Sequence, residues 1–547
     1  MDPYEKKRSN TKRYQKLKTL LKMVFGYKSF RPKQYEIMNR IINGEDVCAI
    51  LFTGAGKSIC FQIPALYLDK PAIIISPLIS LMDDQRLILK ELGISSCCYN
   101  SNVANKMTMR TEILQSKYKF IYITPESVVN MKDFILTLEE KQGISLIAID
   151  EAHCISSYGF DFRKSYRELT FFKNTLPHIP ILAVTATATD VVANDICKVL
   201  KLKTDGPIKS SFDRPNLYLE VRQRNKDVSR DIMPIIKKHN DQSIIIYCLT
   251  RKETVKITEI LKVNKIKCVT YHAGLEADEK MEAHHNFLKN KINVIVATIA
   301  FGMGINKPDV RVVIHYGSPK NIEGYYQEIG RAGRDGQEAY CYSFYSFRDF
   351  IIHKNNIVQG NDSSYQKVQC NLLERIKDYM LTKQCRRQIL LEYFDEEYAD
   401  KCDHCDNCLG VHKQVAPAVI TTQDVQKEAK LLIGLIQSMA DNSFGFGLNM
   451  YINILRASNN NKITPAIRKN KFYGTGKHRS VAWWKEVCDN LVKLGYLRQD
   501  YVRGRFAITI MKVTRKGEMW ANGTDLKELL NCTDDDKLEP FNMTTDI

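Results

Sequence analysis

One short stretch limits what this chain can fold into: Ile50-Leu51-Phe52-Thr53-Gly54-Ala55-Gly56-Lys57-Ser58. An apolar run ends at Leu51, a glycine-bearing turn follows, and a helix-like pattern begins near Lys57. The order is strand, cradle, helix. Backbone N–H groups can close around phosphate oxygens only where no β-carbon intrudes, which Gly54 and Gly56 permit, and a helix N-terminus adds a favourable dipole. In such a cradle, completed by Thr53 and Ala55, Lys57 is expected to bridge the β- and γ-phosphates of a nucleotide and the Ser58 hydroxyl to ligate magnesium. The strict Gly-x4-Gly-Lys-Ser/Thr spacing is not met, because its first glycine falls at Leu51.

A second stretch makes the loop specific. Residues 145–150 read as a buried strand that ends in Asp150-Glu151-Ala152-His153. An aspartate at the tip of such a strand can hold magnesium through water, and the adjacent glutamate can polarise the water that attacks a γ-phosphate. Upstream lies Phe25-Gly26-Tyr27-Lys28-Ser29-Phe30-Arg31-Pro32-Lys33-Gln34. The Gln34 amide can donate to and accept from an adenine edge, with Arg31 or an aromatic such as Tyr27 stacked on its face. The same string also reads as a hydrophobic helix start with an exposed glutamine.

Apolar strands at 47–51, 72–76, 120–124, 146–150 and 181–185 alternate with helix-period stretches, which argues for a parallel, doubly wound sheet. Their carboxyl ends carry polar residues, and Thr185 and Thr187 stand where nucleotide state could be passed to a neighbouring domain. A second α/β unit has strands at 243–248, 267–271, 293–298 and 310–316. Its landmarks are Phe301-Gly302-Met303-Gly304-Ile305 and Gln327-Glu328-Ile329-Gly330-Arg331-Ala332-Gly333-Arg334-Asp335-Gly336. Arg331 and Arg334 are expected three apart on one helix face, reaching the γ-phosphate across a cleft and supplying transition-state charge, with Arg334 the favoured finger.

At 547 residues the chain has material for about three to five domains. A formal net charge of +18 points to a polyanion such as nucleic acid or, as the alternative, an anionic membrane surface, and charge alone does not choose between them. No run approaches the length of a membrane span, and the basic N-terminus has no apolar core behind it, so the chain is expected to be neither secreted nor membrane-spanning. Most of the 16 cysteines are scattered singly on apolar elements, as suits reduced thiols in the nucleus or cytoplasm. Residues 1–22 read as a basic arm, helical or frayed, whose charges are solvated or meet DNA or a nuclear-import receptor.

Only the cysteines around Cys402 look grouped. Cys402, Cys405 and Cys408 stand at two-residue gaps, and Cys385 lies on a preceding helical pattern. Four thiolates can close a tetrahedral structural zinc site, although His404 could replace Cys385 as the fourth ligand.

Together these residues resemble the motor motifs of superfamily two helicases. Phe25 to Gln34, Ser211-Phe-Asp-Arg-Pro-Asn216 and Gln327 to Gly336 narrow the likeness to the RecQ helicases, over residues 20–525. That resemblance implies ATP-driven, 3′-to-5′ movement on single-stranded DNA with duplex separation, and it implies the all-cysteine zinc site. It also implies an aromatic-rich DNA-sensing loop in Cys154-Ile-Ser-Ser-Tyr158-Gly-Phe160-Asp161-Phe162-Arg163, where aromatic faces stack on bases and Arg163 adds charge. Tyr158 stands where the family has tryptophan, Phe160 where it has histidine and Lys164 where it has proline. Residues 424–525 resemble the RecQ winged-helix domain. There Lys469, Lys471, Lys477, His478, Arg479, Arg503 and Arg505 would meet duplex phosphates, and Tyr501 or Phe506 would sit at a strand-separating hairpin tip.

The expected architecture is α/β, with two RecA-like doubly wound domains at 23–208 and 209–348. A helical zinc-binding subdomain at 349–415, a winged helix at 416–525 and an acidic aperiodic tail at 526–547 follow, without the further C-terminal helical domain of many relatives. The expected function is an ATP- and magnesium-dependent DNA helicase. The alternatives are an RNA-directed remodelling ATPase and a non-unwinding DNA-binding or annealing protein.

Overall fold

Strand patterns recognised by their apolar runs assemble as two parallel sheets. The structure, a computed structural model, describes residues 4, 11–101, 103–225, 227–302, 307–359, 363–398, 401–411, 422–439, 446–458, 463–502, 508–522 and 542–544. It divides into two compact units, Met1–His412 and Lys413–Ile547.

The first sheet of the larger unit contains β1 (Val47–Ile50), β2 (Ala72–Ile75), β3 (Ser96–Tyr99), β4 (Phe120–Ile123), β5 (Ile147–Ile149), β6 (Ile181–Thr185) and β7 (Ile208–Lys209). Their spatial order is β3-β4-β2-β5-β6-β1-β7, with every pairing parallel. Side chains alternate across the sheet, and both faces are buried. Cys48, Ile50, Ile73, Ile75, Ile147 and Ile149 enter one core; Val47, Ala49, Ile74, Ala148 and Val184 enter the other. Burial on both faces explains why these strands read as continuous apolar runs. Because β5, β6 and β1 are neighbours, the loops leaving their carboxyl ends converge.

The second sheet has β8 (Leu217–Gln223), β9 (Ser243–Cys248), β10 (Cys268–Tyr271), β11 (Val294–Ala297), β12 (Val310–Tyr316) and β13 (Ala339–Tyr345), in the order β10-β11-β9-β12-β13-β8, again all parallel. Four strands escape an apolar-run reading. β7 has two residues, β3 reads Ser-Cys-Cys-Tyr, and β8 and β13 are broken by tyrosines and polar groups because they lie at or next to an edge.

Of the helical or frayed basic arm expected, residues Lys12–Phe25 form a helix that packs on the first lobe. Thr11 caps its start by accepting from Tyr14 N, and Gly26 ends it in the left-handed region. Tyr14, Leu17 and Leu21 bury one face against Phe30, Tyr35, Met38, Ile59 and Ile63. Each buried side chain stabilises by about 1.5–3 kcal/mol. On that helix Lys12, Lys16 and Lys22 are exposed, while Arg13 donates to Asn39 at 3.0 Å.

Helix Asp406–Leu409 docks beside β8, Arg387 of helix Arg386–Tyr393 donates to Leu217 O, and helix Ser363–Leu381 packs on Arg386–Tyr393. Arg386 Nε donates to Asp406 Oδ1 at 2.5 Å, and Asp406 Oδ2 accepts from Val221 N at 3.0 Å, all of it buried.

The smaller unit packs helices Gln426–Ser438, Leu448–Leu455, Val481–Lys493 and Arg515–Ala521 around Leu432, Ile436, Tyr451, Trp484 and Leu491. It also holds β14 (Thr422–Asp424), the antiparallel hairpin of β15 (Leu497–Val502) and β16 (Ile508–Val513), and β17 (Asn542–Thr544). β17 pairs antiparallel with β14, so the expected tail contributes a strand.

Candidate active site

The phosphate loop follows β1 and is shaped by two left-handed glycines, Gly54 at φ +93° and Gly56 at φ +82°. Its helix starts at Ile59, later than Lys57, because residues 57 and 58 form a turn whose carbonyls accept from Cys60 and Phe61. Gln34 is buried and its amide is engaged by the chain. Nε2 donates to Ala55 O and Gly56 O at 3.1 Å, and Oε1 accepts from Arg31 N at 2.8 Å. In this structure the Gln34 amide braces the loop from beneath. Arg31 donates to Gly54 O, and Tyr27 is exposed nearby in sequence.

β5 delivers Asp150, and Glu151 sits in a left-handed backbone conformation at φ +49°. Asp150 Oδ1 accepts from Glu151 N at 3.0 Å. Burial pushes the Asp150 carboxyl up to about 7, with Glu151 reinforcing and Lys57 opposing. A buried carboxylate so placed is poorly solvated and fits a cation partner. His153 is buried too, its Nδ1 2.8 Å from Thr185 Oγ1 at the end of β6, and Thr187 N donates to the same hydroxyl at 3.3 Å.

Across the cleft, the helix Ile322–Ile329 ends before the two arginines, which lie on the turns that follow and not on one helix face. Gly330 lies against the phosphate loop: a β-carbon added to it would stand 2.9 Å from Thr53 Cβ. Arg334 lies over the phosphate loop, with its Cγ 3.3 Å from where a β-carbon on Gly54 would be. Gln327 Nε2 donates to Glu151 Oε1 at 3.5 Å. Arg331 is buried within the second lobe, its Nη2 3.3 Å from a β-carbon placed on Gly302. Gly304 lies outside the described residues.

Burial, then Arg331, Arg214 and Arg31, push the Arg334 guanidinium down to about 9. Four guanidinium groups gathered beside a phosphate-type loop repel one another, and an anion relieves that cost. Arg214, to which no role was attached in the Ser211–Asn216 string, belongs to this group. The string itself was the only signal of it.

The sulfurs of Cys385, Cys402, Cys405 and Cys408 lie within 4.8 Å of one another, with Cys402 and Cys408 3.9 Å apart. Tetrahedral zinc with bonds of about 2.3 Å separates its sulfurs by about 3.8 Å, so the four fit the ion. His404 turns elsewhere, its Nε2 3.9 Å from Glu338 and its ring beside Tyr218. The ligand position that the spacing alone left open thus falls to Cys385, which sits at the cap before helix Arg386–Tyr393.

Four family models match consecutive stretches of the chain: DEAD/DEAH box helicase over 31–195, helicase conserved C-terminal domain over 227–336, RecQ zinc-binding over 347–409 and RQC domain over 419–529. The ATP-dependent DNA helicase RecQ of Haemophilus influenzae is 37% identical over 88% of this chain and 76% of its own length. The chain belongs to the RecQ family of superfamily two helicases. A relative in Acanthamoeba polyphaga mimivirus, provisionally named ATP-dependent RNA helicase R290, is 65% identical over the whole of both chains. The mouse bifunctional 3′-5′ exonuclease/ATP-dependent helicase WRN is 36% identical over 91% of this chain, which spans only 36% of that protein. Among solved structures, yeast Dbp5 bound to Gle1 and inositol hexakisphosphate shares the fold, with a TM-score of 0.51 at 20% identity, over 66% of this chain and 98% of its own. This RecQ protein is an ATP-dependent helicase with two RecA-like parallel-sheet domains, a RecQ zinc-binding domain and an RQC domain.

In this RecQ helicase the expected DNA contacts divide. Tyr158 is 55% exposed, as a base-stacking residue must be. Phe160 is turned inward instead and stacks on His153, with ring centroids 4.6 Å apart at 17°. Phenylalanine in this position replaces a polar side chain by a flat apolar one, and the buried imidazole gives it a partner. Phe162 packs toward Tyr365 and under Arg167, and Arg163 donates to Pro77 O and Asp161. All three are thus engaged within the chain. In the smaller unit Lys477 is exposed, whereas Arg479 donates to Glu428 at 3.0 Å and lies over the Trp483 ring at 4.4 Å. Arg503, Arg505 and Phe506 lie outside the described residues, as does the Tyr501 side chain, although its backbone pairs with Thr509.

Proposed function

We propose that this chain is a DNA helicase that moves 3′-to-5′ along a single strand and separates duplex or structured DNA in repair, recombination or replication. The observation that carries the motor reading is the placement of Arg334 over Gly54, which sets a cation from one lobe against the phosphate loop of the other. Lys57 and the loop amides would hold the phosphates, and Glu151, oriented by Gln327 and close to His153, would accept the proton of the attacking water. Arg334 would neutralise charge that grows on the transferred phosphoryl group. Asp150 and Ser58 would hold magnesium, which would offset charge on the phosphates. The zinc cluster has four protein ligands and no open position, so its role is structural.

DNA is favoured by the relatives named RecQ and by the exposed Lys477 in the RQC domain. The mimivirus relative's name favours RNA as the second reading. ATP hydrolysis measured with matched DNA and RNA strands separates the two. Unwinding of duplexes tailed at either end, with Glu151→Gln as the inactive control, tests direction. Preference for RNA, or opening only of 5′-tailed duplexes, overturns the proposal.

A further inference from the structure

The two lobes are joined by the segment between β7 and β8, and that connection carries a bracket across the nucleotide cleft. Ser210 ties its start to the first lobe, its N donating to Ile50 O at 2.9 Å and its Oγ accepting from Phe52 N at 3.3 Å. Arg214 follows and is buried. Its Nη1 donates to Thr53 O at 3.3 Å on the phosphate loop. Its Nη2 donates to Ala332 O at 3.0 Å and Gly333 O at 2.9 Å, on the turn immediately before Arg334. The guanidinium also lies 5.5 Å from the centre of the Phe52 ring.

Neighbouring groups fix the bracket from outside. Asn216 Nδ2 donates to Gly333 O at 3.0 Å and Gln337 O at 2.8 Å, and it fills the space a β-carbon on Gly333 would need. Arg387, two residues after Cys385, donates to Arg214 O at 2.6 Å, Asp213 Oδ1 at 2.7 Å and Leu217 O at 2.7 Å. Phe212 N donates to Glu396 Oε2 at 2.7 Å, and the Phe212 ring stacks on Phe394 at 4.3 Å. The backbone from which Arg214 projects is therefore held by the zinc-binding domain, while its head group holds both sides of the cleft.

We propose that Arg214 is a positioning residue that sets the register of Arg334 against the phosphate loop. Only a planar fork with donors pointing in two directions can satisfy the Thr53 carbonyl and the 332–333 carbonyls at once. Without it the turn bearing Arg334 keeps its sequence but loses its fixed distance from Gly54. Misplacement by about 1 Å of a group that acts in the transition state costs about 100-fold in rate. This inference rests on the reading of Arg334 as the arginine finger.

The test is a double-mutant cycle on nucleic-acid-stimulated ATP hydrolysis by the full chain. Arg214→Ala is expected to lower kcat by about 100-fold and to leave KM for ATP within about threefold. Arg214→Lys should recover little, because one ammonium reaches one side of the cleft. Zinc content and melting temperature are measured on every variant, and should Arg214→Ala fail to fold, the cycle is run with Arg214→Lys. If Arg214 acts through Arg334, Arg214→Ala/Arg334→Ala turns over as Arg334→Ala alone does, within about twofold. Losses that multiply, or a kcat for Arg214→Ala within threefold of the parent, overturn the inference. If Arg334→Ala itself keeps its turnover, it is the finger assignment that fails, and the inference built on it falls with that assignment.

Discussion

Gly54 and Arg334 face each other across the cleft so closely that a β-carbon on the glycine would stand 3.3 Å from the arginine Cγ. The contact joins the loop after β1 to the turn before β13, two segments with no local reason to meet. Arg334→Ala should lower kcat by about 1,000-fold or more with little change in KM for ATP, and Arg334→Lys should not restore it. Gly54→Ala adds a side chain at φ +93° and presses on Arg334, so turnover should fall in that variant as well. Steady-state phosphate release reads both.

Lys57 carries the charge of the loop and is half-buried. Lys57→Ala is expected to abolish stimulated ATP hydrolysis and the rise in melting temperature on adding nucleotide, which would be about 2.7 kcal/mol of stabilisation at 100 times Kd. The melting temperature without nucleotide should match the parent. Calorimetry with and without ADP checks this.

Phe160 and Tyr158 sit two residues apart and should fail differently. Phe160 stacks on His153, which meets Thr185, so Phe160→Ala should reduce the ratio of stimulated to unstimulated hydrolysis while single-strand affinity stays within about threefold. Tyr158 presents its ring to solvent, and Tyr158→Ala should weaken single-strand binding by about 1–3 kcal/mol. Fluorescence anisotropy paired with ATPase assays tells the two apart.

Zinc content should depend on Cys385 and not on His404. Cys385→Ser is expected to lose the ion and lower the melting temperature, because the thiolates hold the start of helix Arg386–Tyr393 to the 402–408 turn. His404→Ala should keep one zinc per chain. Elemental analysis of purified variants decides.

Arg479 is neutralised by Glu428. Burial raises the Glu428 carboxyl, yet hydrogen bonds from Arg479 and His478 hold it below the ordinary range overall. The pairing therefore contributes stability above the usual glutamate pKa and loses it as pH falls through the depressed value. At neutral pH Glu428→Gln should melt below the parent, and in acid the two should converge. Freed from its partner, Arg479 should add about one phosphate contact, steepening the salt dependence of duplex binding by about one in log–log slope. Binding titrations across a salt series measure it.

Much of the motor was legible from residue order, for reasons tied to each element. Strands buried on both faces must be apolar throughout, so β1, β2, β4, β5 and β6 announced themselves. Cys402, Cys405 and Cys408 are close in sequence because one turn must hold them. Strands with a polar share, such as β8 and β13, gave no such run. Charge left the N-terminal segment open between a helix and a frayed arm, and counting it does not reveal that Tyr14, Leu17 and Leu21 share one buried side.

Residue order by itself determined the chemistry on offer: a phosphate loop, a strand-end acid pair, two arginines and four thiols, each required by local geometry. Only the tertiary structure decided which of these meet and which are already engaged. The fold places Arg334 on Gly54 and Arg214 between Thr53 and Gly333, turns Phe160 onto His153, and binds Gln34 beneath the loop. Periodicity records which face of an element is buried, because that is a property of the element alone. It does not record the neighbour it is buried against, because that depends on packing between segments far apart in the chain.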